Sequence, residues 1–477
     1  MKASEKLTID VPAGTYNIPK TKLLGVDQVP YDTKTHSWGW YAISTLFFGL
    51  IFNMTILLGM SALVLAGLNW VQITVAMIFG GLLTAVLFWL NSFGGTKYGI
   101  NHTVQLRSAF GNMVGSYIPT ILRAAIAIIW YGIQSWLIAM CFDVILSAFT
   151  GWGGLAYLPR MFPLFVVATG IQYAFIHWEY KGLKIIAQWG APACFLGLVG
   201  MIVWGRMTAG TWGPILLQEG NYAAWAPPGM FFFAMALIIA GYATVAINIS
   251  DITRVFKGER RTLYAGLAFI PLGWITSGCL AFAMLSMAFA MGWGPIWNPI
   301  EWIGKFPIGI FAVVVLILVM AAGITTNAPA NILSPITTMT NLFKKLSFRN
   351  AAIIASVISL ATFPWVFLAN PDTFLAMVSR FGGTLGGIVG IMIVDWWVFR
   401  KNRPDLAQLY EPNGIYKYWK GGINWIGIGS LIVSGACGWL FPQWGLFISM
   451  AVGALVYYVV TFAMRKTERI KRSLPSD

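Results

Sequence analysis

An all-α polytopic membrane protein with about twelve transmembrane helices is the fold class that the sequence predicts. Hydrophobic residues make up 58% of the 477 residues and charged residues only 10%, against about 25% charged residues in a typical soluble domain. The apolar residues are gathered into twelve segments of roughly 20 residues, the length that spans a bilayer. Basic residues alternate between dense and sparse from one loop to the next. Together these observations exclude a soluble fold.

The twelve apolar segments are the predicted elements in chain order. Four cysteines fall in or beside them, which is typical of small buried side chains and not of a disulfide framework or a metal site. These cysteines are Cys141, Cys194, Cys279 and Cys437. The predicted segments, numbered 1 to 12, are 39–63, 71–92, 118–147, 161–178, 185–205, 229–250, 264–291, 307–340, 351–369, 373–398, 422–441 and 444–464.

The lysines and arginines give the predicted orientation. Of the 31 basic residues, Arg123 and Arg380 lie within predicted segments, and only Arg160, Arg206 and Lys305 lie in the loops of one side. All the others lie in the N-terminal arm, the C-terminal tail or the opposite loops. Because cytoplasmic loops carry the excess of basic residues, both termini are expected in the cytoplasm and the chain in the plasma or inner membrane. The net charge of +15 is thereby explained by the lipid bilayer, without a nucleic-acid partner.

The end of segment 8, AAGITTNAPANILSP at 321–335, interrupts an apolar run with polar residues and prolines. Thr325 and Thr326 follow Ala322 by three and four residues and so share a helix face with it. Pro329 has no N–H, so the Thr325 carbonyl loses its usual helical donor. The resulting cluster of neutral oxygens suits a hard cation such as sodium. A plain proline kink with satisfied threonines is the structural alternative.

Two other segments are predicted to be interrupted at mid-depth. Gly49 and Asn53 fall four residues apart in segment 1, and Gly241 and Tyr242 lie at a similar depth in segment 6. Glycine permits an unwound turn whose carbonyls point inward. Broken segments in both halves of a chain are typical of transporters built from inverted repeats, with the site at the bilayer midplane.

Segment 3 contains AIIWYGIQSW, in which Trp130 and Gln134 are four residues apart and project to one side. An indole face supplies stacking, and a carboxamide supplies a donor and an acceptor. This pair suits a flat heterocycle that forms hydrogen bonds. A lone tryptophan more often marks packing or the lipid interface, so the pairing with Gln134 is the more specific signal.

Seven motifs in this order resemble those of the nucleobase:cation symporter-1 family, which includes hydantoin, allantoin, cytosine and uracil permeases. The resemblance spans nearly the whole chain. It implies a LeuT-type fold with an N-terminal arm (1–38), a ten-helix core (39–421) in which helices 1–5 and 6–10 are inverted repeats, two further helices (422–464) and a tail (465–477). The motifs are SWGWYAISTLFFGLIFN (37–53), GGTKYGINHTVQLRSAFG (94–111), WYGIQSW (130–136), ISDITR (249–254), TTNAPAN (325–331), GIMIVDWWVFR (390–400) and GIYKYWKGGINW (414–425).

The resemblance also implies two sets of site residues. Asn53 and Tyr242 depart from the glutamine and tryptophan of the hydantoin branch, and Asn53 is more similar to the allantoin and uracil branches. The implied substrate set for a small planar heterocycle is Asn53, Trp130, Gln134, Tyr242 and Asn331. The implied sodium set is the Gly49, Phe52 and Ala322 carbonyls with the Thr325 and Thr326 hydroxyls.

Other function classes lack the residues they need at mid-depth. No catalytic cluster that a membrane enzyme would use and no charged ring of a channel filter is found there, and no cofactor is expected. A proton-coupled symporter would call for an ionisable residue at mid-depth, whereas Asp251 and Asp395 fall at predicted helix ends. Proton coupling and a vitamin-like substrate remain alternatives to sodium and a nucleobase. Arg380 is expected near the outer vestibule, paired with an acid such as Asp143 or facing an anionic substrate.

Overall fold

The chain is a bundle of long apolar helices. The computed structural model describes residues 21, 23–24, 28–31, 38–177, 179–256, 258–307 and 309–474. Most of the predicted arm 1–38 and the last three residues of the tail lie outside these ranges. Within them, eight helices are long and apolar enough to cross a membrane, and a bent pair makes a ninth. The shorter apolar helices Phe348–Leu360 and Trp425–Leu440 fall on segments 9 and 11. The count of twelve spans therefore stays a prediction.

Most helix bounds agree with the predicted segments to within a few residues, but the predicted end of segment 9 at residue 369 is wrong, because that helix ends at Leu360 and a separate short helix, Pro364–Phe367, follows it. The first half of the chain contains α1 (Trp40–Ile51), α2 (Met54–Leu65), α3 (Trp70–Asn91), α4 (Phe93–Tyr98), α5 (His102–Gln105), α6 (Arg107–Phe110), α7 (Val114–Phe149), α8 (Tyr157–His177) and α9 (Glu179–Ala209). The second half contains α10 (Pro228–Thr253), α11 (Glu259–Ala290), α12 (Pro299–Gly304), α13 (Ile310–Asn327), α14 (Leu333–Leu342), α15 (Phe348–Leu360), α16 (Pro364–Phe367), α17 (Pro371–Ile393), α18 (Leu406–Leu409), α19 (Trp425–Leu440), α20 (Gly445–Met464) and α21 (Glu468–Lys471).

The predicted interruption in segment 1 is present as a break between α1 and α2. The two helices meet at an angle of 45°. Asn53 is extended and caps α2, because its Oδ1 accepts hydrogen bonds from the backbone N–H groups of Thr55 (3.0 Å) and Ile56 (3.3 Å). An N-cap of this kind satisfies donors that a helix start leaves free. The break therefore has a local cause in the sequence.

The predicted interruption of segment 6 at Gly241 is wrong. Helix α10 continues through Gly241 and Tyr242, and its one non-helical residue is Asn248, with φ −101° and ψ 18°. Glycine permits an unwound turn but does not impose one. The distortion lies instead where Arg123 of α7 donates a hydrogen bond to the Thr244 carbonyl of α10.

The polar stretch in segment 8 forms a π-helical turn, Ala328–Ile332, between α13 and α14. The turn begins one residue before Pro329, whose missing N–H removes a helical hydrogen bond. An extra residue per turn is a usual adjustment and is frequent at functional sites. The predicted irregularity is therefore present, and it leaves Asn331 on the wall of a cavity.

The glycines of α17 serve close helix packing. A Cβ at Gly387 would lie 2.0 Å from the Ser434 hydroxyl of α19, and one at Gly390 would lie 2.2 Å from the Met450 carbonyl of α20. No side chain fits at such distances. Small residues at a membrane helix interface let the backbones approach in this way.

The expected pairing of Arg380 with Asp143 is wrong. Asp143 is paired with Arg160, with 3.0 Å between Nε and Oδ1. Arg380 is exposed and lies over the ring of Trp439 at 5.1 Å. Arg160 is closer to Asp143 along the chain and reaches it across the short connection between α7 and α8.

Candidate functional site

A cavity with a volume of about 50 Å³ lies between α2, α7, α10, α11, α13, the π turn and α17. This volume is smaller than the roughly 300–1,000 Å³ of typical small-molecule sites. The break in α1 and the π turn bring short polar side chains to its wall, and the remaining wall is apolar. Residues of the wall that carry polar atoms or aromatic rings include Thr55, Trp130, Gln134, Tyr242, Trp274, Thr326, Asn331 and Phe374.

Four of the five residues in the predicted substrate set line this cavity. Trp130 and Gln134 both reach it from α7, as their spacing predicted. The Trp130 ring makes edge-on contacts with Phe374 (6.2 Å) and Phe381 (6.0 Å) of α17. The Gln134 side chain forms no hydrogen bond within the described part of the chain. Its carboxamide is therefore available to a ligand, beside an indole that α17 holds in place.

Asn53 is the predicted substrate residue that does not line the cavity. Its amide donates hydrogen bonds to the Leu50 carbonyl (2.9 Å) and to the Tyr242 hydroxyl (3.1 Å). Tyr242 donates its own hydroxyl to the Leu50 carbonyl. These bonds satisfy the Leu50 carbonyl, which lies in the last turn of α1, before the break between α1 and α2. Tyr242 thus has a double role, because it links α10 to the break and also forms part of the cavity wall.

Four of the five predicted sodium oxygens come together where α1 meets α13. Thr326 Oγ1 donates to the Gly49 carbonyl at 2.8 Å and lies 3.2 Å from the Ala322 carbonyl. Thr325 Oγ1 donates to the Ala322 carbonyl at 2.8 Å. The Phe52 carbonyl stands at the break and accepts no hydrogen bond from the residues that the structure describes. Both hydroxyls can rotate their hydrogens away, which would leave an all-oxygen set of the kind a hard cation binds.

Arg123 of α7 is a buried cation that sequence reasoning counted only as lying within a helix. Its guanidinium donates to the Thr244 carbonyl (2.5 Å), to Asn248 Oδ1 (2.8 Å) and to the Ala330 carbonyl (2.5 Å). Thr244 precedes the non-helical Asn248 by four residues, so Arg123 contacts α10 at its kink. Arg123 therefore joins the kink of α10 to the π turn, directly beside Asn331.

A second buried polar contact joins His102 and Asp251 near the end of α10. His102 of α5 contacts Asp251 of α10 through Nδ1 and Oδ2 at 2.7 Å, and its backbone N–H donates to the other carboxylate oxygen at 2.8 Å. The Thr337 hydroxyl of α14 adds a third bond at 3.3 Å. Both side chains are fully buried. This pair ties three elements together at the helix ends.

Two basic residues outside the membrane spans, Lys344 and Arg107, share hydrogen-bond acceptors on the side chains of Gln28 and Asn341. Lys344 Nζ lies 2.9 Å from Gln28 Oε1 and 2.9 Å from Asn341 Oδ1. Arg107 donates to the same Asn341 oxygen at 3.0 Å. Burial, together with the charge of Arg107, lowers the pKa of Lys344 to about 7. Residue 28 of the N-terminal arm is thereby fixed against the ends of α6 and α14.

Comparison with known proteins gives consistent matches over most of the chain. A family model described as a permease for cytosine/purines, uracil, thiamine and allantoin matches residues 28–464. The chain is 28% identical over 414 residues to the allantoin permease of Bacillus subtilis (strain 168), covering 84% of each protein. It is 27% identical over 450 residues to the hydantoin permease of Microbacterium maritypicum, covering 92% of this chain and 88% of that protein.

The fold is similar to that of a solved structure. Mhp1, a nucleobase-cation-symport-1 family transporter in a closed conformation with bromovinylhydantoin bound, matches with a TM-score of 0.81 at 24% identity, covering 95% of this chain and 99% of that chain. This likeness confirms the predicted fold class, an all-helical membrane protein of the LeuT type. The division into domains and the two residue sets stay predictions.

Proposed function

This chain belongs to the family of permeases for cytosine/purines, uracil, thiamine and allantoin, and on that premise we propose that it imports a nucleobase or a related small planar heterocycle by sodium-coupled symport. It is a multi-pass membrane transporter and not an enzyme. Alternating access would carry the ring and the ion together across the plasma or inner membrane. The distribution of basic residues supports a cytoplasmic location for both termini.

The observation that best supports coupling between sodium and the ring is the hydrogen bond from Thr326 to the Gly49 carbonyl. Thr326 also lines the cavity, so one residue faces both the proposed ion site and the proposed ring site. An ion held between Gly49 of α1 and Thr326 of α13 would fix the two elements relative to each other. Asn53, four residues after Gly49, positions the Tyr242 hydroxyl at the cavity wall. Binding at either site would therefore favour the other, and linkage makes the effect reciprocal.

The cavity chemistry supports a flat ring with amide-like edges. Trp130 offers an indole, and Gln134 and Asn331 offer carboxamides at the same wall. Allantoin and hydantoin are named for the relatives above, and both contain such a ring. A vitamin-like ring is the alternative, because a thiamine transporter of Saccharomyces cerevisiae is a more distant relative at 24% identity.

Uptake into proteoliposomes tests the proposal. Radiolabelled uracil, allantoin and hydantoin are offered under an inward sodium gradient and in choline. We expect saturable, sodium-dependent uptake of at least one of them. Thr325→Ala combined with Thr326→Ala should abolish the sodium dependence, whereas Thr84→Ala, which removes a comparable buried hydroxyl bonded to the Gly80 carbonyl at 2.8 Å, should retain it. Equal uptake in sodium and choline by the unmutated protein would refute sodium coupling.

Proton coupling is the second candidate, and the buried contact between His102 and Asp251 favours it. The same vesicles distinguish the two couplings, because an imposed pH gradient without sodium should then drive uptake. Loss of that uptake in His102→Gln, with sodium-driven uptake absent throughout, would favour the proton.

A further inference from the structure

Four amide and hydroxyl side chains behind the cavity form a continuous chain of hydrogen bonds. Asn331 donates through Nδ2 to Asn327 Oδ1 at 3.0 Å. Asn327 donates to Gln172 Oε1 of α8 at 2.6 Å, and Gln172 donates to the Ser135 hydroxyl at 2.6 Å. Ser135 donates in turn to the Tyr131 carbonyl at 2.8 Å. Of these four side chains, only Asn331 lines the cavity.

Two backbone carbonyls determine the orientation of the carboxamide groups in this series of hydrogen bonds. The amide nitrogen of Asn327 lies 3.3 Å from the Tyr131 carbonyl, and the amide nitrogen of Gln172 lies 3.4 Å from the Ala168 carbonyl. A carbonyl can only accept, so each position beside it must hold an NH₂ group and not an oxygen. Reversing either carboxamide would bring two oxygens together in a buried site. The oxygen of Asn327 is consequently left to accept from Asn331.

It follows that the Asn331 carboxamide has a defined orientation. Its NH₂ group is directed to Asn327, and its Oδ1 has no hydrogen-bond donor among the described residues. Since Asn331 lines the cavity and is itself 4% exposed, this oxygen is the group it can offer to a ligand. A buried acceptor left without a donor destabilises the complex that contains it.

We propose that Gln172 is a positioning residue for substrate specificity: by orienting Asn327, it fixes Asn331 as a hydrogen-bond acceptor, so the permease selects rings that present an N–H to it. The inference rests on the proposed heterocycle transport and narrows its substrate class. Rings with a lactam or imide N–H, such as those of uracil, hydantoin and allantoin, meet the requirement. A ring with no N–H, or with that nitrogen methylated, does not.

Binding by the unmutated protein is the first test. Affinities are measured by calorimetry on the purified full chain for hydantoin, 1-methylhydantoin and 3-methylhydantoin, and for uracil, 1-methyluracil and 3-methyluracil. For the ring that binds, we expect one methyl isomer to bind roughly 5- to 150-fold more weakly than the parent, because it leaves the acceptor unpaired. Equal affinities for a ring and both of its methyl isomers would overturn the inference while leaving the proposed transport intact. Binding of no ring at all would overturn both.

A variant then separates orientation from simple packing. Gln172→Met keeps the length of the side chain but removes the oxygen that accepts from Asn327. Affinity for the parent ring should fall roughly two- to tenfold, the value of one hydrogen bond, while affinity for the rejected isomer stays the same. Ser356→Ala, which removes the contact with the Tyr131 hydroxyl at 3.0 Å outside this chain of bonds, should leave the ratio unchanged. An equal loss for both rings in Gln172→Met would show that Gln172 is structural and would overturn the inference. If Gln172→Met fails to fold, the isomer comparison in the unmutated protein decides alone.

Discussion

The Arg123→Lys substitution tests whether the buried guanidinium holds the site together. Arg123 joins α7 to the kink of α10 and to the π turn through three hydrogen bonds, of 2.5 Å to the Thr244 carbonyl, 2.8 Å to Asn248 and 2.5 Å to the Ala330 carbonyl. Lysine keeps the charge, but its ammonium is a compact group without the planar fork of donors. We expect it to retain one of the three bonds.

The magnitude follows from the two bonds that are lost. A hydrogen bond to a charged group contributes about 1.5–3 kcal/mol, so their loss should destabilise this arrangement by roughly 3 kcal/mol or more. That corresponds to a change of more than about a hundredfold in the population of the arrangement. Because Ala330 directly precedes Asn331, ligand affinity should fall together with stability.

The assay is the apparent melting temperature of the purified protein in detergent, followed by calorimetric titration with the ligand. Arg160→Lys is the matched control, since Arg160 forms a partly exposed ion pair with Asp143 and such pairs contribute about 1 kcal/mol or less. If Arg123→Lys melts and binds like the Arg160 variant, the guanidinium does not organise the site.

Three further predictions concern the cavity and its surroundings. Trp130→Ala should weaken ligand binding by roughly 5- to 150-fold, by analogy with the loss of one stacked ring, in a protein that still elutes as a single species; undiminished affinity would make Trp130 a packing residue. Gln134→Met should reduce binding of the cognate ring more than that of an analogue lacking its carbonyl groups, and an equal effect on both rings would exclude a hydrogen-bonding role. Burial and the charge of Arg107 lower the pKa of Lys344 in the folded protein to about 7, below its value in the unfolded chain. Above that pH the unfolded chain binds more protons than the folded protein. The contribution of Lys344 to the free energy of unfolding should therefore rise as pH increases from about 7 to 9. Melting curves of Lys344→Met should lack this rise, and parallel pH profiles for variant and parent would contradict it.

Much of the fold and part of the site follow from local sequence. The bilayer imposes a length on each apolar run, which is why most helix bounds were predicted closely, although segment 9 was drawn past the end of its helix at Leu360. The break at Asn53 and the π turn at Pro329 were also predictable, because a cap residue and a missing N–H act within one turn of their own position. Trp130 and Gln134 reach one cavity because residues four apart share a helix face.

The remaining features depend on partners distant in sequence. Arg123 has the signal of a lone charged residue within a span, which commonly marks a functional position, but its acceptors are contributed by α10 and the π turn. Likewise, Gln172 meets Asn327 across 155 positions, and no periodicity shows that contact. The expectation at Gly241 was wrong for a related reason. A glycine only permits a distortion, and the non-helical residue of α10 is instead Asn248, whose side chain contacts Arg123.

Reciprocal binding of sodium and ring in the unmutated protein tests the central claim most directly. Calorimetry is run with the cognate ring in sodium and in choline buffer, and then with sodium in the presence and absence of the ring. The contact between Thr326 and Gly49 beside the cavity predicts a gain in ring affinity of roughly 5- to 150-fold in sodium, from a typical coupling of about 1–3 kcal/mol. Thermodynamic linkage requires the same gain in sodium affinity when the ring is bound. Equal ring affinity in sodium and choline would contradict the account and would leave the threonines as satisfied polar residues beside a proline kink.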